Sequence, residues 1–404
     1  MRHAVNISGL AGMSVTRAIR RAGGERRAVN IAGIVGVAVV VLASQRAAAY
    51  PQYQLSRDQT CSDCHLSPAG GGLLSENGYN VAESFSQFGT APEFMYGKLP
   101  VPSWLALGGD LRGAAGYIRT PDNAVTGFPM QADLYVHAAY KGFSVQLTGG
   151  ARPAQWITGN GTPGALDRLW SREHYVMWQQ NEGGNDGLYV RAGRFMPVFG
   201  LRFVEHPDYT RRYGGTPLYA ETYAAAVEYV TQAWEAHVTG FVEDPLIDPV
   251  VHDSGAAVYA EVRPNQRLAV GGEAMLTTSD GQTRVRAGAT GKLYVPSADV
   301  LVQAELQLVH QQVTGPGTDN QLVGYVMGSR SFGSAFLLDV GLGHYDENIA
   351  IRGLDRDAVD VNLHWFATSH FELVLQNRIE GIGLGASPGG PTSGWVLLHG
   401  HYRL

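Results

Sequence analysis

The chain has 404 residues and a mass of 43.4 kDa, with 52 Gly, 16% charged residues and a formal net charge of −6. Soluble proteins average about 25% charged residues and about 7% Gly, so this chain is poor in charge and rich in glycine. Its two Cys exclude a disulfide framework and a four-thiolate metal site. A mean hydropathy of −0.10, with one long apolar run, excludes a bundle of membrane-spanning helices. A globular all-β protein or a β-barrel in a membrane remains.

Residues 1–49 have the pattern of an export signal. They contain seven Arg and one acid, Glu25, followed by the apolar run Ala28–Ser44 and three Ala at 47–49. A basic region, an apolar region and a small-residue cleavage site describe a secretory signal peptide; the alternative is an uncleaved anchor helix. Cleavage would remove the seven Arg and one Glu, which lowers the net charge from −6 to −12. That acidic balance disfavours nucleic acid and suits cations.

Both cysteines lie in one motif, Cys61-Ser62-Asp63-Cys64-His65. The C-x-x-C-H spacing is the attachment signature of c-type haem, because two thiols bind the porphyrin edge while the adjacent His ligates iron. A thioredoxin-like site would need a βαβ context, and a structural zinc site would need four protein ligands. We therefore predict one covalent haem c, bound by Cys61 and Cys64, with His65 as an axial iron ligand.

The sixth iron ligand is less well defined by the sequence. Met95 is the only Met between His65 and Trp104, and a thioether ligand would raise the reduction potential. The alternative role for Met95 is that of an apolar filler between Phe94 and Tyr96. A segment of about 50 residues is too small to bury haem alone, so we expect residues 50–103 to pack against the rest of the chain. In that case three further residues could be the ligand: His137, His174 and His237.

From residue 104 to 404 the sequence alternates apolar and polar residues in short segments. Met130–Tyr140 is typical, with Met130, Leu134 and Val136 on one face and Asp133 on the other. We count about 16 such strands, the even number that bacterial barrels require. The predicted fold class is all-β, a transmembrane antiparallel β-barrel with a small N-terminal haem c segment; a soluble β-protein is the alternative.

The predicted connections between these strands alternate in length. Short turns such as Lys141-Gly142 and Pro296–Asp299 alternate with long loops such as Thr120–Pro129 and Gly315–Asn320, and one outer link, Thr278–Gln282, is shorter than expected. Short periplasmic turns and long outer loops are typical of outer-membrane barrels, whose polar inner face surrounds a water-filled lumen.

The loop Met196–Tyr219 is the longest of the outer connections. It resembles the third loop that large porins fold inward to narrow the channel. We predict that it lines a constriction near the haem; the alternative is a solvated surface loop.

Taken together, a signal peptide, one C-x-x-C-H motif and a porin-like barrel resemble the fused monohaem cytochrome–porins of iron-oxidising bacteria. The residue-level similarity is concentrated in 49–79, at Ala49-Tyr50-Pro51, at Arg57 and Thr60 before Cys61, and at Gly78-Tyr79. The chain departs from that family at 70–72, where three Gly replace a Leu-Thr-x-Phe-Gly run.

This resemblance implies three domains: a signal peptide at 1–49, a monohaem cytochrome c segment at 50–103 and an outer-membrane barrel at 104–404. It implies electron transfer from an extracellular donor such as Fe(II), through the haem, to a periplasmic cytochrome. Partners would be outer-membrane lipid and these electron carriers, with no nucleic acid. Porin barrels of this size are often trimers, so a homotrimer is a further possibility. Two other functions stay open, a diffusion porin that the haem segment plugs and a haem enzyme such as a peroxidase.

Overall fold

The computed structural model describes residue 55 and residues 59–119, 123–151, 169–205, 207–218, 220–244, 252–315, 317–382 and 393–404. The predicted signal peptide at 1–49 lies outside the described residues. No helix in the described ranges is long and apolar enough to span a membrane.

Three short helical elements precede the strands. Helix α1 (Cys61–Cys64) contains the two cysteines, α2 (Glu76–Phe85) follows it, and a 3-10 helix (Phe94–Gly97) leads toward the first strand. Ser75 caps α2, because its hydroxyl accepts a hydrogen bond from the Gly78 amide over 3.1 Å. A fourth helical turn, α3 (Tyr209–Arg212), lies in the loop between the fifth and sixth strands.

Sixteen strands make up most of the described chain. They are β1 (Leu105–Arg119), β2 (Ala124–Tyr140), β3 (Phe143–Ala151), β4 (Leu169–Gln179), β5 (Gly187–Phe195), β6 (Thr222–Val230), β7 (Trp234–Val242), β8 (Ser254–Asn265), β9 (Leu268–Ser279), β10 (Gln282–Val295), β11 (Val300–Val313), β12 (Gly317–Phe332), β13 (Phe336–Asp346), β14 (Asp355–Thr368), β15 (Phe371–Glu380) and β16 (Ser393–Arg403).

The sheet closes on itself. Every strand pairs antiparallel with its neighbours in sequence, and β1 also pairs with β16 in a register that runs from Asp110 opposite Arg403 to Arg119 opposite Gly394. A closed sheet has no edge strands, so each strand finds hydrogen-bond partners on both sides. The predicted antiparallel barrel of about 16 strands is confirmed.

The two faces of the barrel have opposite chemistry. On β11, Leu306 is 55% exposed on the outer face, whereas its neighbours Glu305 and Gln307 point inward and are 4% and 0% exposed. On β6, Val227 is 53% exposed outside and Glu228 is fully buried inside. An apolar outside around a polar inside is the arrangement of a transmembrane barrel and the reverse of a soluble sandwich.

Short connections lie at one end of the barrel, which we call the turn end, and most long ones at the other, the loop end. Two outer connections are shorter than predicted. Strand β2 begins at Ala124, so most of Thr120–Pro129 is strand, and a bulge opposite Gly113 accommodates Pro129. Strand β12 begins at Gly317, which leaves a tight turn instead of the predicted Gly315–Asn320 loop.

The apolar outer surface predicts that a charged side chain destabilises the barrel more in the middle of the membrane than near its surface. We expect Leu306→Arg, in the middle of β11, to lower the free energy of unfolding from lipid by about 2–4 kcal/mol, because a guanidinium near the bilayer centre is poorly solvated. His310→Arg, on the same face near the loop end, is the matched control and should cost about 0–1 kcal/mol. Denaturant titration in bilayers measures both; equal costs would contradict the membrane placement.

Candidate haem-attachment site

Helix α1 brings the three residues of the motif together. Cys61 and Cys64 are three positions apart on one helical turn, so their side chains share a face. The Thr60 amide donates to Asp63 Oδ2 over 2.6 Å, which fixes the start of the turn. His65 follows at the end of the turn, where its amide donates to the Cys61 carbonyl over 3.0 Å and its backbone bridges to Leu74.

The motif lies against the turn end of the barrel. The Ser62 hydroxyl donates to the Asn185 carbonyl in the β4–β5 turn. The Asn185 amide reaches Asp63 Oδ1 over 3.4 Å, and the Gln232 amide in the β6–β7 turn reaches Asp63 Oδ2 over 3.5 Å. Arg191, from the inner face of β5, donates to Ser67 over 3.4 Å. The N-terminal segment therefore packs against the barrel, as expected, at the position of α1.

The rest of the N-terminal segment reaches the opposite side of the same opening. The Gln87 and Phe88 amides donate to the carbonyls at the end of β14, each over 2.9 Å. His370, in the β14–β15 turn, contacts the Ala91 carbonyl through Nε2 at 2.7 Å. We call residues 59–103 the plug, because they bridge the β4–β7 side and the β14–β15 side of the turn end.

Three consecutive glycines shape the loop next to the motif. Gly70, Gly71 and Gly72 have φ of +77°, +75° and +61°, a region that favours glycine. A Cβ on Gly70 would lie 3.7 Å from Cys61 Cβ and 3.8 Å from His65 Cδ2, whereas one on Gly71 or Gly72 would meet no atom within 4 Å. The positive φ angles, and not a lack of space, therefore explain the three glycines at this point.

The histidine of the motif has the form that an iron ligand requires. Burial, with the nearby positive charge of Arg403, lowers the pKa of His65 to about 4, so the imidazole is neutral at neutral pH. Its Nδ1 is buried without a hydrogen-bond partner, and a neutral imidazole is the ligating form.

The thiols of the motif are also available. Neither cysteine forms a disulfide in the described structure, and burial raises the pKa of the Cys61 thiol. Two reduced thiols on one face beside a neutral imidazole fit the chemistry of c-type haem attachment. Among the described residues no group of three or more His, Cys, Asp and Glu side chains is arranged to hold a bare metal ion.

The structure separates the candidates for the sixth ligand. Met95 is 44% exposed in the 3-10 helix, at φ +52°, beside Tyr96, which contacts the Tyr402 hydroxyl and the His370 ring at the rim. This position is outside the polar lumen, and the ligand role of Met95 stays a prediction.

The three alternative histidines differ in whether both ring nitrogens already contact other side chains. His174 uses both ring nitrogens, with Ser171 at 2.8 Å and Tyr223 at 3.0 Å. The two nitrogens of His237 lie 2.9 and 3.6 Å from the carboxylates of Glu228 and Glu235. The hydrogen bond of His137 to Gln146 involves Nδ1 alone.

His137 also lies on the part of the wall that the plug touches. It is opposite Ala106 on β1, two residues from Gly108, where Leu73 of the plug packs so closely that a Cβ on Gly108 would lie 2.6 Å from Leu73 Cδ2. His137 is therefore the one of these three histidines that lies near the plug and whose Nε2 takes no part in the hydrogen bond to Gln146.

Arg202 is a contact of the motif that sequence reasoning missed. Its guanidinium donates to the Ala69 carbonyl over 2.6 Å and lies 3.9 Å from Cys61 Sγ and 3.5 Å from Glu235. The alternating pattern of the strands indicates that polar residues such as Glu235 point inward, but it carries no information on a loop Arg that reaches across the lumen.

The Arg202 contact belongs to a wider network of buried ion pairs on the inner wall. Arg191 pairs with Glu228 over 2.7 Å, and Lys292 pairs with Glu261, also over 2.7 Å. His237 connects Glu228 with Glu235, so the charges run from β5 to β10 beside the motif. Buried charges need such partners, because an unpaired one is costly to desolvate.

The loop between β5 and β6, residues 196–221, folds into the lumen as predicted. We call it L3. Leu201 donates its amide to Glu305 on β11 over 2.7 Å, and Asp208 lies 3.6 Å from Arg378 on β15. Tyr213 stacks on Tyr345 of β13 with ring centroids 3.9 Å apart. These contacts with the far wall exclude the solvated surface loop that was the alternative.

Comparisons with known proteins place the barrel among porins by fold. OmpT of Vibrio cholerae, with a TM-score of 0.57 and 11% identity, covers 76% of this chain and matches over 100% of its own length. An anion-selective porin from Comamonas acidovorans gives 0.57 at 13% identity, covering 74% of this chain and 99% of that porin. OmpF of Salmonella typhi gives 0.56 at 8% identity, covering 74% and 97%.

At such low sequence identity these similarities define only the fold, which is a porin-type outer-membrane barrel of 16 strands. No family model matches the chain, and no curated protein matches it either.

The inward position of L3 predicts its effect on permeation. Replacing residues 198–216 by a short Gly-Ser linker should raise single-channel conductance, because the loop occupies lumen that ions would otherwise use. Planar-bilayer recordings of the two proteins measure this. Unchanged conductance would mean that the plug, and not L3, limits the current.

Proposed function

We propose that this chain is an outer-membrane electron-transfer protein of a Gram-negative bacterium. A single haem c, attached to Cys61 and Cys64 and ligated by His65, would pass electrons between an extracellular donor and periplasmic carriers. The observation that carries the proposal is the position of α1, whose attachment motif is hydrogen-bonded to two turns of a transmembrane barrel and contacted by Arg202 of L3.

The barrel gives this arrangement a physical purpose. The hydrocarbon core of a membrane is about 30 Å thick, too wide for one electron-tunnelling step. With a redox group at the turn end, electrons need not cross the whole membrane by tunnelling. A small reductant can diffuse through the lumen and reach that group. Haem c supplies reversible one-electron transfer at iron when it is bound.

The residues around the motif have defined tasks in this proposal. The plug holds α1 at the turn end, where Cys61 Sγ lies 3.9 Å from Arg202 of L3. Arg202 ties the loop that follows the motif to L3 through the Ala69 carbonyl, so that the constriction and the redox group would keep a fixed separation. The exposed turn-end surface of the plug, which includes Phe88 at 57% exposure, would meet a periplasmic cytochrome.

Fe(II) is the donor that the cytochrome–porin resemblance implies, and the acidic balance of the mature chain is compatible with cation entry. A homotrimer is also part of the proposal, because one of the similar OmpT structures is described as a trimer form and has a TM-score of 0.54.

A diffusion porin with a plug is the second candidate function. The plug forms hydrogen bonds to both sides of the turn end, an arrangement that would obstruct this opening of the barrel. The two functions differ in one measurable property, because a porin conducts ions irrespective of haem loading and an electron conduit requires the haem.

Removal of the attachment residues tests the haem. Cys61→Ala with Cys64→Ala should abolish haem staining of the outer-membrane protein in denaturing gels, because covalent attachment needs the thiols. Ser144→Ala, a substitution on the inner wall outside the motif, is the control. Staining that persists in the double variant would contradict covalent attachment.

His65→Ala then tests the electron transfer. It should keep the haem but reduce the rate of Fe(II) oxidation in vesicles, because iron loses an axial ligand. An unchanged rate, with ion conductance equal in loaded and unloaded protein, would favour the plugged porin.

Spectra of single variants can identify the sixth ligand. If Met95 ligates iron, Met95→Leu removes the sulfur-to-iron charge-transfer band of the oxidised protein and lowers the reduction potential. If His137 is the ligand, His137→Gln changes the spectrum and Met95→Leu does not. Given the exposed position of Met95 and the free nitrogen of His137, we expect the second outcome.

A further inference from the structure

A group of buried oxygen atoms lies between L3 and the wall, outside the haem-attachment site. Glu273 on β9 and Gln307 on β11 both pair in register with Gly288 of the intervening β10, so they stand at the same level of the inner wall. Glu305 lies two residues before Gln307 and also points inward. We call Glu273, Glu305 and Gln307 the oxygen cluster.

Gly288 lets the cluster converge. A Cβ at this position would collide with Glu273 Oε1 and lie 3.1 Å from Gln307 Cγ. Because glycine leaves this space free, the two long side chains approach each other across β10, and the charge of Glu305 acts directly on Glu273.

L3 closes the cluster from the lumen side. Leu201 donates its amide to Glu305 Oε2 over 2.7 Å. The neighbouring Gly200 has φ of +68°, and a Cβ there would lie only 2.5 Å from Glu305 Oε1. The Gly200 amide and the Gln307 side chain also approach Glu273, but neither makes a hydrogen bond of normal geometry with it.

The cluster contains oxygen atoms without partners in the described part of the chain. Glu273 is 6% exposed, and neither of its carboxylate oxygens has a hydrogen-bond partner. Gln307 is fully buried and donates its amide to Glu305, which leaves its own Oε1 without a partner. A buried carboxylate in this condition is costly unless a positive charge or a proton neutralises it.

Nearby arginines leave this charge only partly compensated. Arg202 and Arg211 act on Glu305 from L3, but their guanidinium groups are hydrogen-bonded to the Ala69 and Phe203 carbonyls respectively. No cationic side chain of the described residues acts on Glu273. The cluster therefore combines two buried carboxyl groups with an amide oxygen, and in the described part of the chain no cationic side chain lies beside Glu273 to neutralise it.

We propose that the oxygen cluster binds one divalent metal cation. Carboxylate and amide oxygens are the ligands of hard cations such as Mg²⁺, Ca²⁺ and Mn²⁺, and Fe²⁺ accepts the same set with water. The metal bonds to Glu273, Glu305 and Gln307 Oε1. Since Glu305 already holds Leu201, the cation fastens L3 to the β9–β11 wall. The competing arrangement is a proton shared by the two carboxylates.

Manganese binding tests the site in the full-length protein, independently of haem iron. The purified protein is stripped with a chelator and titrated with Mn²⁺, whose free form is counted by its electron paramagnetic resonance signal. We expect one tight Mn²⁺ per chain, and affinity that falls by about 10- to 100-fold in Glu273→Gln and in Glu305→Gln.

Glu221→Gln is the matched control, because Glu221 is a buried lumen carboxylate that already pairs with Arg172 over 2.7 Å. It should leave Mn²⁺ binding unchanged. Heat-modifiable gel migration verifies that each variant has formed its barrel. As a second readout in the wild type, Mn²⁺ should slow hydrogen exchange of the Leu201 amide.

Two results would overturn the proposal. One is a folded wild-type barrel that binds no Mn²⁺ and shows the infrared carbonyl band of a protonated carboxyl that Glu273→Gln removes. The other is tight Mn²⁺ binding that survives in both cluster variants, which would place the metal elsewhere.

Discussion

The requirement that lipid imposes on the backbone governs this structure. Hydrocarbon offers no hydrogen-bond partners, so every amide and carbonyl that crosses it must find one within the protein. Pairing of β1 with β16 meets the requirement by removing both edges of the sheet. The consequence is a hollow interior, lined by alternate residues of sixteen strands, that the rest of the chain has to fill.

Two segments occupy part of it, and both make polar contacts with the wall, although Phe199, Leu201 and Phe203 of L3 also pack on apolar wall residues. The plug is held at the turn end by hydrogen bonds to Asn185, Gln232 and the end of β14. L3 is held across the lumen by Glu305, Arg378 and the Tyr213–Tyr345 stack. Because the wall is charged, these segments carry matching partners such as Arg202 and Asp208, and the interior resembles an interface more than an apolar core.

The features that repeat along the chain were predictable from sequence. Alternation with period two defined the strands and both faces of the barrel, because side chains alternate across a pleated strand. The C-x-x-C-H run identified the haem-attachment motif as a local unit, although it did not predict that the two cysteines lie on a helical turn. The start of β2 was not predictable, since Pro129 argues against a strand unless the bulge opposite Gly113 is known.

Contacts between segments that are distant in sequence could not be predicted either. Arg202 meets Cys61 across 141 positions of sequence, and Glu273 meets Gln307 only because β10 has Gly288 between them. Such meetings depend on barrel register and loop path, which no local pattern encodes. For the same reason the sequence indicated several candidates for the sixth ligand. The hydrogen-bond partners of each ring in the structure were needed to distinguish His137 from His174 and His237.

Placing the plug inside a closed cylinder also orders the events of biogenesis. Pairing of β16 with β1 closes the wall of the barrel, and α1 lies at the turn end of that closed wall. Any enzyme that modifies the two thiols needs access from the side or from below, and that access narrows once the seal is made. The proposed attachment of haem to Cys61 and Cys64 is therefore expected to precede, or accompany, closure of the barrel.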